Sequence, residues 1–437
     1  MARTDRNSVS AALCNASMLL YMGWLLLPAV QAATHAVTGA LSVGVFGLGV
    51  ALDGDTLPRR WRWFLPRVLA AALLPLALYF FLERGGGQFA GYYAQQGMFW
   101  FPPLWCAYAR GRGDARLYRW IGPALIALLA VTTLTTVGWL VEGITRGDRV
   151  YAYARSLGSG EPGRADYLRE LMLRNIGGYD FVYAGVLLLP LTFGMGLAAR
   201  GRRRAGWALL LLLQLLLIGL SQYTYAILFA AGVMAVELLA LLLRAVFRKL
   251  STGLSLLCTV PLIAAAWLLR VPLLTWLGGL AAGFGFENAA YSLTQLLLMV
   301  TGGAVDAGSR LATYTTPLAG IAASPLVGSM LGGAKALGMH SDALDLLSGM
   351  GILGAAGFAL GAWAVGRGSL RGIRATEAFP HVALQWLLLA LCLFLGTVFY
   401  SREIPLSLCL SATLLLRKEA AAGEGDAPRT IPPSPGD

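Results

Sequence analysis

Apolar runs about twenty residues long follow one another along almost the whole chain, separated by short connections that carry most of the charge. A bilayer core of roughly 30 Å needs about 20 apolar residues per helix. On that measure spans are predicted near 10–31, 34–52, 64–82, 88–108, 121–141, 181–199, 205–220, 222–243, 252–269, 346–366, 382–400 and 403–416. Composition agrees: 57% of residues are apolar and 13% are charged, against about 25% charged in a soluble domain. The stretch 205–243 divides in two at Ser221 and Gln222.

The arginines fix the orientation. Alternate connections carry Arg3 and Arg6, then Arg59, Arg60, Arg62 and Arg67, then Arg110, Arg112, Arg116 and Arg119. Arg200 and 202–204 follow, then Arg244, Arg248 and Lys249, then Arg367, Arg371 and Arg374, and last Arg417 and Lys418. Connections 31–33, 83–87 and 401–403 hold one basic residue or none. The positive-inside rule then puts every cluster in the cytoplasm, with both termini. The net charge of +12 is thus spread as orientation signals, not as a nucleic-acid surface. The apolar stretch 18–30 has no small-residue cleavage site after it and reads as a retained first helix.

The expected architecture is an all-α polytopic membrane domain over 1–418, with about twelve transmembrane helices and two long extracytoplasmic loops near 142–180 and 270–345. The first loop balances Arg146, Arg149, Arg155, Arg164, Arg169 and Arg174 against six acids, and 166–174 reads as a short charged helix. The second is apolar and glycine-rich, with helices expected near 272–283, 288–300 and 306–320. A loop that apolar belongs at the membrane interface. The tail 419–437 is polar and proline-rich, and is expected to be a disordered cytoplasmic segment. The five cysteines fall inside apolar runs without metal-ligand spacing, so no zinc or disulfide framework follows.

Basic residues outside the membrane cannot be orientation signals. They are Arg270, Arg310, Lys335, Arg402 and those of the first loop. Guanidinium groups match phosphate oxygens bidentately, so such groups at the outer surface suit a lipid-linked phosphate or pyrophosphate. Ordinary ion pairing is the competing reading for the first-loop arginines. Ser341 suits an N-cap for the tenth span, with Asp342 favourable in its first turn. His340 then stands just before a helix N-terminus at the outer face, where an anion is favoured and an imidazole can exchange a proton. His35 and His381 sit at helix ends and read as structural. Glu237 is the main acid within a span and by itself makes a thin case for a proton relay. Asp53-Gly54-Asp55 imitates a nucleotide-sugar metal motif, but its short cytoplasmic loop leaves no room for a nucleotide-binding domain.

Three segments together, Ser309-Arg310-Leu311-Ala312-Thr313-Tyr314, Ser324-Pro325-Leu326-Val327-Gly328 and His340-Ser341 with Leu344 three residues on, resemble the O-antigen ligase/polymerase superfamily. The specific likeness covers about 50 residues. It implies an extracytoplasmic glycosyltransferase that polymerises polyprenyl-pyrophosphate-linked repeats into capsule, exopolysaccharide or O-antigen, in a bacterial cytoplasmic membrane. His340 would act on the acceptor hydroxyl or the departing phosphate, and Arg310 would neutralise the pyrophosphate. Arg270, Lys335 and Arg402 would hold the rest of it. No metal and no other cofactor is implied, and the partners are the glycan donor, the acceptor, a flippase and a chain-length regulator. The His-Ser form of the pair points to a polymerase over a ligase. Transfer to another acceptor, and a lipid-linked oligosaccharide flippase or other carrier, are the alternatives. A carrier would call for internal repeats and charges at mid-membrane.

Overall fold

The computed structural model describes residues 3–53, 101–112, 120–146, 164–221, 223–247, 268–301, 307–329, 341–370 and 379–395, with 254, 257, 258, 261, 264 and 265 between them. The described residues are helical and carry no strand. In chain order the helices are α1 (Arg3–Leu26), α2 (Pro28–Thr34), α3 (Val37–Leu52), α4 (Phe101–Arg112) and α5 (Ile121–Thr145). Then come α6 (Arg164–Leu173), α7 (Tyr179–Ala198), α8 (Arg202–Ser221), α9 (Thr224–Val246) and α10 (Arg270–Gly283). The last four are α11 (Glu287–Thr301), α12 (Ala307–Ala323), α13 (Asp342–Leu370) and α14 (Phe379–Leu395).

Five of these are long and apolar enough to cross a membrane, or six if the bent pair α2–α3 is one span. Leu134, Leu209 and Leu242 on α5, α8 and α9 are more than half exposed. Apolar side chains displayed along whole helices need lipid as their solvent, and the protein is membrane-embedded. The expected spans 64–82 and 403–416 and most of 252–269 lie outside the described residues. The expected first span, 10–31, divides instead. Pro28 has no N–H to continue the helix, so α1 stops at Leu26, and α2 and α3 meet at 93°.

One core joins α1, α3, α4, α5, α7, α8, α9 and α14. Gly49 lets α3 approach α1 so closely that a Cβ there would stand 2.8 Å from Cys14 Sγ. Ser10 Oγ donates to the Gly49 carbonyl at 2.7 Å, and Trp105 Nε1 donates to the Cys14 carbonyl at 2.7 Å. Small residues and polar links of this kind are what packs helices where water provides no drive. Asp53, at the end of α3, is buried and accepts from the Tyr108 hydroxyl at 2.5 Å. That carboxylate ties α3 to α4.

The charged helix of the first loop is α6, and it packs on α2. It ends in a left-handed cap at Asn175 (φ 61°). There Ile176 N–H donates to the Leu171 carbonyl at 3.0 Å and Asn175 N–H to Met172 at 2.8 Å. Asn175 Nδ2 donates to Thr132 Oγ1 at 3.0 Å, Thr135 donates to the Asn175 carbonyl at 2.7 Å, and Gly177 N–H reaches Thr136 Oγ1 at 2.8 Å. The threonine face of α5 thus anchors this connection where it enters α7. The helices expected at 272–283, 288–300 and 306–320 correspond to α10, α11 and α12. The first two form a hairpin around Leu274, Ala281 and Leu293, against Leu228 of α9.

Candidate functional site

The segments around 324–328 and 341–351 form one structural unit. Pro325 cannot donate a backbone bond, so α12 ends at Ala323 and the chain makes one further turn, closed by Gly328 N–H to the Ser324 carbonyl at 3.0 Å. Ser341 caps α13: its carbonyl accepts Asp345 N–H at 2.8 Å and its Oγ lies 3.4 Å from Leu344 N–H. Ser341, Asp345 and Ser348 follow one face at helical spacing, and all three are buried.

Helix α13 breaks at Gly351 (φ 64°, ψ −174°), a conformation open in practice only to glycine. In an unbroken helix the Ser348 carbonyl would accept Ile352 N–H. Here it accepts Ser329 N–H at 2.7 Å and Ser329 Oγ at 3.0 Å. Ile352 N–H turns to the Pro325 carbonyl at 2.9 Å and Leu353 N–H to Leu326 at 3.1 Å. The turn 324–329 therefore supplies the partners that the break removes. Two glycines make the approach possible. A Cβ on Gly328 (φ 79°) would stand 2.1 Å from the Gly349 carbonyl oxygen, and one on Gly351 would stand 2.4 Å from the Leu326 carbonyl. Irregular backbone within a membrane protein is tolerated where it is buried in protein or lines a polar cavity.

The other predicted site residues distribute as follows. Arg310 belongs to the first turn of α12, which packs on α13; its side chain lies outside the described residues. Asp342 opens α13 beside Ser341. His340, Lys335 and Arg402 lie outside the described residues. Arg270 opens α10 and is half-buried, on the hairpin that packs against α9. Of the first-loop arginines, Arg146 pairs with Glu142 and Arg174 with Glu170 on the surface, the ordinary arrangement for such groups. Among the described residues no cluster of three or more His, Cys, Asp or Glu side chains could hold a metal.

Sequence reasoning missed a second polar centre. Glu237 of α9 and His381 of α14, both buried, meet at 2.8 Å between Oε1 and Nδ1. Gly194 of α7 lies against the imidazole, where a Cβ would come within 3.0 Å of the ring. Four residues along α14, Gln385 Nε2 donates to the Leu187 carbonyl of α7 at 2.8 Å. The available signal was Glu237 itself, since an acid inside an apolar span requires a partner.

No protein-family model, curated protein or solved structure matches this chain.

Proposed function

We propose that the chain crosses the cytoplasmic membrane of a bacterium about twelve times, with both termini inside. On this reading it is an extracytoplasmic glycosyltransferase that polymerises polyprenyl-pyrophosphate-linked oligosaccharide repeats. The observation that carries the reading is the threading of the turn 324–329 into the break of α13. It unites two segments of the family resemblance, and α12, whose first turn carries Arg310, packs on α13.

The chemistry needs few parts. An acceptor hydroxyl oxygen bonds to the donor's anomeric carbon with inversion, while the bond from that carbon to the pyrophosphate oxygen breaks. The hydroxyl proton passes to His340 or to the departing pyrophosphate. Arg310 neutralises the charge that builds on the leaving group, and the α13 N-terminus at Ser341 favours an anion nearby. Arg270, Lys335 and Arg402 hold the remaining phosphate charge. The pyrophosphate linkage already stores the driving energy, so the reaction requires no nucleotide.

Surface polysaccharide from a deletion strain tests this, with wild type, His340→Ala or Arg310→Ala restored at matched membrane levels. Both variants should lose polymer and accumulate single lipid-linked repeats on the outer face. Normal polymer length in both would remove the reading. A carrier of lipid-linked oligosaccharide is the second reading, favoured by the broken helix α13 and the buried Glu237–His381 pair. It predicts that the single repeats accumulate on the cytoplasmic face.

A further inference from the structure

Ionisable groups inside a membrane protein are costly and mark pathways for ions or protons. The Glu237–His381 pair does not stand alone. Helix α7 serves as a ruler for the polar groups around it, at 1.5 Å per residue. His381 lies level with Gly194 and Gln385 level with Leu187, about 10 Å further along. Helix α8 runs back beside α7 after the turn at Gly201, which brings Gln214 to the Leu187 level. Gln214 is 1% exposed, and among the described residues neither its Oε1 nor its Nε2 has a hydrogen-bond partner.

About 6 Å beyond Leu187 is Tyr183, in ring contact with Tyr179 at 4.5 Å between centroids. Tyr179 is also in ring contact with Tyr223 at 5.1 Å between centroids. Tyr223 in turn lines a small cavity of about 10 Å³, on the scale of a single water molecule, with Thr136, Trp139, Gly178 and Ser221. Polar side chains thus occur at successive levels from this cavity to the end of the bundle that carries Arg200, 202–204 and Arg244.

We propose that this file of groups is a proton path, with the Glu237–His381 pair as its transfer station. The ligand is a proton and not a metal ion. A hard cation needs six or so oxygen ligands, and the pair offers one carboxylate and one imidazole. In each transfer the neutral His381, with its Nδ1 proton bonded to Glu237, gains a proton at Nε2 and passes the Nδ1 proton to the carboxylate. Release of that proton from Glu237 and tautomerisation of the ring restore the start, so one proton enters for each that leaves. Helix α7 offers no titratable side chain between 184 and 198 to compete for it. By sequence, Arg244 on α9, Cys392 on α14, Arg367 on α13 and Arg202, Arg203 and Arg204 on α8 are the nearest charged or titratable groups on the neighbouring helices. Gln214 supplies the hydrogen-bonding group between the pair and the tyrosines. The path is independent of the transferase reading.

Full-length protein in vesicles with a trapped pH dye, under a potassium potential set with valinomycin, tests the path. Wild type should change the internal pH faster than protein-free vesicles. Glu237→Gln, His381→Gln and Gln214→Leu should each fall to the protein-free rate. Gln214→Leu separates conduction from folding, because an apolar side chain replaces an unsatisfied amide and the melting temperature should hold or rise. A wild type no faster than empty vesicles overturns the proposal, as does a Gln214→Leu variant that conducts like wild type.

Discussion

Gly351→Ala is expected to cost at least about 4 kcal/mol of stability and to abolish activity. The backbone at this position (φ 64°, ψ −174°) is closed to any residue with a Cβ, a strain of about 1–3 kcal/mol. The new methyl would also stand 2.4 Å from the Leu326 carbonyl, so the turn 324–329 must withdraw. Its withdrawal removes the bonds from Ile352 and Leu353 N–H and from Ser329 to Ser348, each worth about 1 kcal/mol net and more if a buried group is left unpaired. Gly328→Ala meets the Gly349 carbonyl oxygen from the other side and should behave alike. Gly138→Ala, with open space around its helical position, is the comparison and should melt at or above wild type. Thermal unfolding in detergent gives the result. If Gly351→Ala melted like Gly138→Ala, the break would not be the joint described here.

The Glu237–His381 contact gives the second large effect, and its sign depends on how it is removed. His381→Ala leaves a carboxylate buried without its partner and should cost about 3–5 kcal/mol; Glu237→Ala leaves a neutral imidazole unpaired and should cost about 1–3 kcal/mol. Replacing both by apolar residues of similar size, Glu237→Met with His381→Phe, removes the two desolvation penalties together. The double variant is expected to be as stable as wild type, or more so. A double-mutant cycle measured by thermal unfolding separates the two cases. If the double variant lost as much as the two single variants added together, the contact would be incidental to stability. The stable double variant should also conduct no protons.

How much of this was legible in the sequence varies with the range of the forces involved. Helices α10, α11 and α12 fall within a few residues of expectation, because glycine and proline punctuate short apolar stretches there and the signal is local. Ser221 and Gln222 likewise separate α8 from α9 as expected. The division of the first apolar run at Leu26 was hidden, since apolar continuity through 10–31 outweighed the single proline at 28. Gly349, Gly351 and Gly354 fall within the tenth predicted span, 346–366. That the helix breaks there is decided by a turn more than twenty residues earlier in the chain, and no local pattern carries that information. The Glu237–His381 pair was illegible for the same reason. An acid in α9 and a histidine opening α14 are far apart in sequence, and only the packing of both helices on α7 brings them together. The resemblance supplied candidate residues for the chemistry, and the threading of 324–329 into α13 supplied a physical reason for two of its segments to act together.

The central claim is that this protein joins lipid-linked repeats. The most direct measurement gives purified full-length protein in lipid nanodiscs a polyprenyl-pyrophosphate-linked single repeat, with a chelator present and no nucleotide. A ladder of longer lipid-linked products is expected, with one free polyprenyl pyrophosphate for each repeat joined. Single repeats recovered unchanged, by protein that is folded and monodisperse, would contradict it.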